Sequence, residues 1–278
     1  MKSKNLISRL LNLLILLLIS AGSLAQENKN NKGFVPEVGQ QGKDVVWVPT
    51  PQELVDTMLS IAKVTPDDYL IDLGSGDGRT VITAAKIGAN ALGVEFNPDM
   101  VVLSRRNAEL AGVTGKAEFK EGDLFEQDLS KATVITMFLL PEINLKLRPK
   151  LLDLKPGTRI VSNTFTMGEW EPDYEVDTKE NWNSWNTALL WIIPAKVEGT
   201  WKIGQDELSI TQEFQFFHGT LNIKGKSSQL SDGRLQGNEI TFKVNGAVYT
   251  GTVNGTKMIG TATTDSSKWD WTATRSGS

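Results

Sequence analysis

The 278-residue chain has no cysteine and only one histidine, His218. The first absence excludes disulfides, thiolate-held zinc, iron–sulfur clusters, a thiol nucleophile and a lipid anchor on cysteine. The second leaves His218 alone for any Ser-His-Asp arrangement and excludes metal sites built from several histidines. No metal is therefore expected. No apolar run reaches the roughly 20 residues that a comfortable membrane-spanning helix needs. Neither sign of charge dominates: 29 basic and 33 acidic side chains leave a net charge of −4. An apolar content of 40% and a charged content of 22% are ordinary for a globular protein. The length allows one large domain, or a medium one with a small one.

The N-terminal residues stand apart. Lys2, Lys4 and Arg9 flank a nearly unbroken apolar run, Leu10 to Ile19, and small residues at Ser23 and Ala25 precede Gln26. This is the pattern of a secretory signal peptide, 1–25, cut after Ala25. An uncleaved N-terminal anchor is the alternative. Cleavage would remove three positive charges and no negative ones, moving the net charge from −4 to −7. A mature chain that acidic is not expected to bind nucleic acid in general, and no stable membrane span is expected after cleavage. Residues 26–44, rich in Asn, Gln, Lys and Gly, read as a flexible linker.

The most informative stretch is Tyr69 to Thr80. Leu70, Ile71 and Leu73 make a short buried-strand run, Gly74, Gly76 and Gly78 follow at alternate positions, and helical spacing begins at Thr80. A strand, a glycine turn and a helix in that order hold nucleotide-type ligands at the edge of a parallel sheet. The rhythm Asp72-x-Gly74-x-Gly76-x-Gly78 departs from the Gly-x-Gly-x-x-Gly of dinucleotide loops. It resembles motif I of the class I S-adenosylmethionine (SAM)-dependent methyltransferases. The resemblance implies SAM as cofactor, with Asp72, Gly74, Ser75, Gly76 and Gly78 at its amino-acid end.

The flanking segments fit an alternating α/β chain. Thr50-Pro51-Gln52-Glu53 reads as a helix start with Thr50 as cap, Pro51 in the first turn and Glu53 closing a capping box. Val48 to Pro51 reads equally well as that cap alone or as a segment lying over the methionine end of the cofactor. Ala91–Glu95 is a second strand, ending in an acid placed to accept from ribose hydroxyls. Asn97 starts a helix. Ala117–Glu121 is a third strand, followed by Asp123 for an adenine amino group and Leu124 or Phe125 for its ring. Thr133–Phe138 and Thr158–Asn163 are strands four and five, with a helix from Pro141 that is expected to break at Pro149. Tyr174–Thr178 and Ala188–Ile193 are a terminal hairpin with Asn181–Trp185 between them.

After Pro194 no helical period appears. Short strands at Gly199–Ile203, Glu207–Phe217, Thr220–Ile223, Glu239–Val244, Ala247–Val253, Met258–Ala262 and Trp269–Ala273 are separated by turns that include Gly204, Gly225 and Gly233. An antiparallel all-β domain, barrel or sandwich, is expected over 195–278. Trp201, Phe216, Trp269 and Trp271 are expected in its core, or alternatively in a ligand cup or docking face.

Thr50-Pro-Gln-Glu-Leu-Val, Asp72-Leu-Gly-Ser-Gly-Asp-Gly, Gly93-Val-Glu95, Gly122-Asp-Leu-Phe, Phe138-Leu-Leu-Pro-Glu-Ile-Asn-Leu-Lys-Leu-Arg-Pro and Gly157-Thr-Arg-Ile-Val-Ser-Asn-Thr-Phe extend the resemblance. Together they are similar to the lysine methyltransferases of the disruptor-of-telomeric-silencing histone type. They also resemble the ATP-synthase c-subunit lysine methyltransferases and their bacterial relatives. The resemblance implies a Rossmann-like, seven-stranded, mostly parallel sheet over 45–194 and methyl transfer to a protein lysine or another amine. Two departures bear on the acceptor. Thr136-Met-Phe138 stands where the histone enzymes carry Asn, and Asn-Pro-Pro-Tyr, the motif of amide and base methyltransferases, is absent. Thr136, Phe138, Leu139 and Trp170 are the acceptor-side candidates by position, and no general base is identified. The competing reading is an exported, non-catalytic SAM-fold protein whose β domain binds a ligand or envelope partner.

Overall fold

The computed structural model describes residues 34–43, 45–179 and 185–276. The expected signal peptide and Asn181–Ser184 lie outside the described residues. Val38–Ser278 forms one compact unit. Its first sheet has seven strands: β1 (Tyr69–Leu73), β2 (Asn90–Glu95), β3 (Ala117–Glu121), β4 (Val134–Met137), β5 (Arg159–Asn163), β6 (Tyr174–Asp177) and β7 (Thr187–Ile192). Their order is β3-β2-β1-β4-β5-β7-β6. The pairs from β3 to β5 are parallel, and β7 runs antiparallel to both β5 and β6. The order reverses at β1, between β2 and β4, which opens a crevice at the carboxyl ends of the strands.

One face of this sheet is covered by α1 (Gln52–Ile61), α2 (Arg79–Ile87) and α3 (Pro98–Leu110). Leu54, Val55, Met58, Val81, Ala84 and Val101 from these helices share a core with Leu70, Val134 and Val161. The other face has α4 (Pro141–Leu152), whose Ile143, Leu147 and Leu151 pack with Ile71, Ile135, Ile160, Trp170 and Trp191. Phe214, from the second sheet, packs against the same core.

The capping box at Thr50 does not form. Pro51 caps α1 without a side-chain bond. Thr50 is buried instead: its hydroxyl accepts from the Asn163 amide at 3.3 Å, and its carbonyl accepts from Arg79 at 2.8 Å. Two tertiary partners outcompete one local cap. Nor does Pro149 end α4, which runs on to Leu152. The missing N–H frees the carbonyl of Leu145, on the exposed face, while Leu147 and Leu151 hold the helix to the core.

The second sheet comprises β8 (Gly199–Ile203), β9 (Asp206–Glu213), β10 (Phe216–Ile223), β11 (Lys226–Gln229), β12 (Ser231–Gln236), β13 (Glu239–Val244), β14 (Ala247–Asn254), β15 (Lys257–Thr263) and β16 (Lys268–Arg275). The order β11-β10-β12-β13-β14-β15-β16-β8-β9, with β9 also paired to β10, closes it into an antiparallel barrel. Trp201, Phe217, Phe242, Tyr249, Met258 and Trp271 fill it. The expected strand Glu207–Phe217 is two strands folded at Phe214-Gln215, where Phe214 takes φ +52. Residues 226–236, expected to be turns, are β11 and β12. Gly233 sits within β12 because a Cβ there would lie 2.1 Å from the Phe217 carbonyl oxygen. Phe216 and Trp269 are each 40% exposed, against the expectation of core, whereas Trp201 and Trp271 are buried.

Trp201 is fully buried and its indole N–H donates to the Val197 carbonyl at 2.8 Å. Trp201→Ala is expected to destabilise the protein by about 3–5 kcal/mol, measured by urea unfolding. An unchanged midpoint would contradict this packing.

Candidate active site

The turn from β1 to α2 forms the floor of the crevice. Gly74 and Ser75 donate their N–H groups to the Val94 carbonyl at 2.9 and 3.1 Å. Gly76 adopts φ +53, and its N–H donates to Glu95 Oε2 at 2.9 Å. Glu95 Oε1 accepts from the Asn97 N–H at 3.0 Å. Two backbone donors thus fix the Glu95 carboxylate at the end of β2. A side chain at Gly76 would place its Cβ 2.6 Å from Trp47 Nε1, so only glycine fits beneath the segment that crosses it.

Asp72, at the end of β1, is buried and accepts from the Thr136 hydroxyl at 2.6 Å. Burial pushes its pKa from 3.8 up to about 7; the Thr136 bond opposes this, and the nearby Glu95 and Asp77 charges add to it. A carboxyl so placed favours a cationic ligand. Asp123 differs. Hydrogen bonds from Lys43 and from the Phe125 N–H hold its carboxyl below the usual range. Lys43 pairs with Asp123 Oδ2 at 2.6 Å and stands 4.8 Å from the centre of the Phe96 ring.

Lys43 belongs to a small hairpin, closed by Gly39 N–H to the Trp47 carbonyl at 2.8 Å and Trp47 N–H to the Gln40 carbonyl at 2.9 Å. This hairpin and Val48–Thr50 form one wall of a cavity of about 390 Å³. The other walls carry Asp72, Gly74, Ser75, Gly76, Glu95, Asp123 and Leu124, and then Phe138, Leu139, Phe165 and Trp185. Phe138 lies 5.9 Å from Phe165, stacked, and 5.8 Å from Trp185, edge-on.

Three of the expected site residues stand behind these walls. Gly78 begins α2, and a Cβ there would lie 2.7 Å from Phe119 and 2.8 Å from Ser104, so packing demands this glycine. Thr136 is fully buried and reaches the cavity only through Asp72. Trp170 is fully buried among Trp191 and Phe214, away from the acceptor side. Conversely, Lys43, Trp47, Phe165 and Trp185 line the cavity although no sequence motif marks them for it. Lys43 and Trp47 are isolated residues in and beside a polar linker, and Phe165 closes the Gly157–Phe165 stretch of the family resemblance, which gives it no role of its own. Only their tertiary placement distinguishes them.

The cavity brings together a buried acid, a second acid clamped by backbone N–H groups, a third beside a leucine, and a glycine floor, a lining whose charge suits a cationic cofactor such as SAM. The chain's relatives agree. The family profile of the ANTKMT methyltransferase domain matches residues 72–174. A protein-lysine N-methyltransferase of Saccharolobus islandicus is 49% identical over 152 residues, which are 54% of this chain and 94% of that protein. The chain belongs to this methyltransferase family. The ATP-synthase c-subunit lysine N-methyltransferase of Mus musculus is 42% identical over 106 residues, 38% of this chain and 43% of that enzyme. The crystal structure of an RNA methyltransferase from Salinibacter ruber, solved with S-adenosyl-L-homocysteine, superposes with a TM-score of 0.51 at 51% identity. It covers 54% of this chain and 96% of its own. The protein is thus a SAM-dependent methyltransferase. The family match ends at residue 174, before the barrel.

The Asp72 pKa has a consequence for the cofactor-free protein. Its folded form holds a proton that the unfolded chain releases above about pH 4. This group's contribution to stability therefore falls as pH rises from 3.8 to about 7. Asp72→Asn is expected to flatten the stability-versus-pH curve across that window. A variant whose curve still declines as the parent's does would contradict the assignment.

Proposed function

We propose that the protein transfers a methyl group from SAM to the ε-amino group of a protein lysine. The observation that carries this is the apolar aromatic trio Phe138, Phe165 and Trp185, set beside the acids in one cavity. An amine is a nucleophile only when neutral, and an apolar, water-poor approach lowers its pKa. Aromatic faces also hold the alkyl stem and any methylated ammonium. SAM supplies an electrophilic methyl on sulfonium, so the protein's contribution is orientation and desolvation, without a dedicated base. Two relatives, from Saccharolobus islandicus and mouse, are named as lysine methyltransferases.

In this reading Asp72 receives the cofactor's α-ammonium, Glu95 its ribose hydroxyls, and the Gly74–Gly76 backbone its amino-acid moiety. Asp123 accepts from the adenine amino group, sharing its carboxylate with Lys43, while Leu124 packs on the ring. Thr50 helps to hold the wall through Asn163. Thr136 holds Asp72, and Phe138 and Leu139 form the acceptor side.

Tritiated SAM incubated with fractionated cell extract is expected to label material that is destroyed by protease and yields methyl-lysine on hydrolysis. RNA is the rival acceptor, because the Salinibacter ruber protein is named as an RNA methyltransferase. Label removed by ribonuclease would contradict the lysine reading. Asp72→Asn is expected to raise the SAM Kd about ten- to hundredfold, by calorimetry. Phe165→Ala is expected to cut methyl transfer about tenfold or more while leaving the SAM Kd within about twofold. Loss of SAM affinity in that variant would place Phe165 on the cofactor instead.

We also propose that Leu10–Ile19 directs export, with cleavage after Ala25. Among the described residues no helix is long and apolar enough to cross a membrane. A fusion of residues 1–30 to a compartment reporter is expected to read out beyond the cytoplasmic membrane. A cytoplasmic signal would contradict export.

A further inference from the structure

The loop after β5 runs from the active site to the barrel, and each part of it is held. Thr164 adopts φ +59, unusual for a residue other than glycine. The Phe165 N–H donates to the Asn163 carbonyl at 2.6 Å, closing a tight turn that carries the Phe165 ring into the cavity wall. The Phe165 carbonyl accepts from the Ser162 hydroxyl at 2.7 Å and from the Asn144 amide at 3.1 Å. The same amide donates to the Thr166 carbonyl at 3.2 Å, and Arg148 Nη1 donates to the Met167 carbonyl at 2.8 Å. Asn144 and Arg148 are four residues apart on α4, so one helical face grips three successive carbonyls.

The far end of the loop is gripped by the barrel. Trp170 stacks on Phe214 with centroids 5.7 Å apart and planes 14° apart. The Arg148 guanidinium lies 5.4 Å from the Phe214 ring centre and pairs with Glu169 at 2.9 Å. Gln215 Nε2 donates to the Glu171 carbonyl at 2.7 Å. Phe214, like Thr164, holds a positive φ, +52, so both ends of this connection store backbone strain that the surrounding contacts must hold in place.

We infer that the barrel's β9–β10 turn is a positioning element for methyl transfer: Phe214, through Trp170 and Arg148, fixes the 164–171 loop and hence the Phe165 face of the acceptor site. The barrel thereby does on this face of the sheet what a further covering helix would do. Phe214 touches neither the cavity nor its acids; it acts through the loop. This inference rests on the methyl-transfer reading of the cavity, and its test separates the two.

The test compares Phe214→Ala and Phe214→Tyr in the full chain. Amide hydrogen exchange at 164–171 is expected to rise about tenfold in Phe214→Ala, with the Gly74–Thr80 turn unaffected. Tritium transfer from SAM into the labelled extract fraction is expected to fall about tenfold in kcat/KM, with the SAM Kd within about twofold of the parent. Phe214→Tyr, which keeps the ring, is expected to restore both. Arg148→Gln tests the same connection if Phe214→Ala does not fold, and the same pattern is expected. Unchanged exchange at 164–171 would overturn the inference. So would loosened exchange with unchanged turnover, which confines the barrel to stability, or an equal loss of SAM affinity. If no extract fraction takes up label, the methyl-transfer reading fails, while the exchange measurement still decides whether the turn fixes the loop.

Discussion

A carboxyl group withdrawn from water at the end of a central strand costs several kcal/mol unless something neutralises it. Asp72 is such a group. The Thr136 hydroxyl offsets part of that cost, and its own position is set by the pairing of β1 with β4, which places Asp72 opposite Thr136 in register. The crevice opens where the strand order reverses, so the acid lies at the centre of the site rather than at its rim. Gly76 and Glu95 then organise around it, the glycine N–H clamping the second acid in place. At the floor of the site Asp72 is thus costly for the empty protein and suited to a cationic ligand.

The two faces of the sheet solve different problems. One carries α1, α2 and α3 over a continuous aliphatic core. The other pairs α4 with tryptophans and with a residue contributed by the barrel. The barrel is fastened to the first sheet by backbone and side chain alike. The Gln215 side-chain amide donates to the Glu171 carbonyl at 2.7 Å, and Arg234 pairs with Asp173 at 2.9 Å. The barrel lies beyond residues 72–174, the region that matches the family.

Much of the sheet is legible in the sequence because its signals are local. The apolar run before Gly74, the alternate glycines and the acid at Glu95 lie in stretches whose neighbours in sequence are also neighbours in space. The capping box at Thr50 misleads because a buried amide, Asn163, competes for the hydroxyl from 113 positions away. Trp170 misleads because position after a strand says nothing of which way an indole turns, and here it turns into the core. Phe165 and Lys43 are silent for the same reason: a single side chain on a loop gains its meaning from what the fold sets opposite it. In the barrel, β12 is hidden by Gly233, which reads as a turn but serves the close approach of Phe217.

The most direct test of the central interaction is a carbon-13 NMR titration of the Asp72 carboxyl carbon, without and with S-adenosylmethionine. Without ligand, Asp72 is expected to titrate at about 7, raised by burial. With ligand, the added ammonium should pull the midpoint down toward the ordinary carboxylate range, near 4. A midpoint already near 4 in the free protein, or one that the ligand leaves unmoved, would contradict the account.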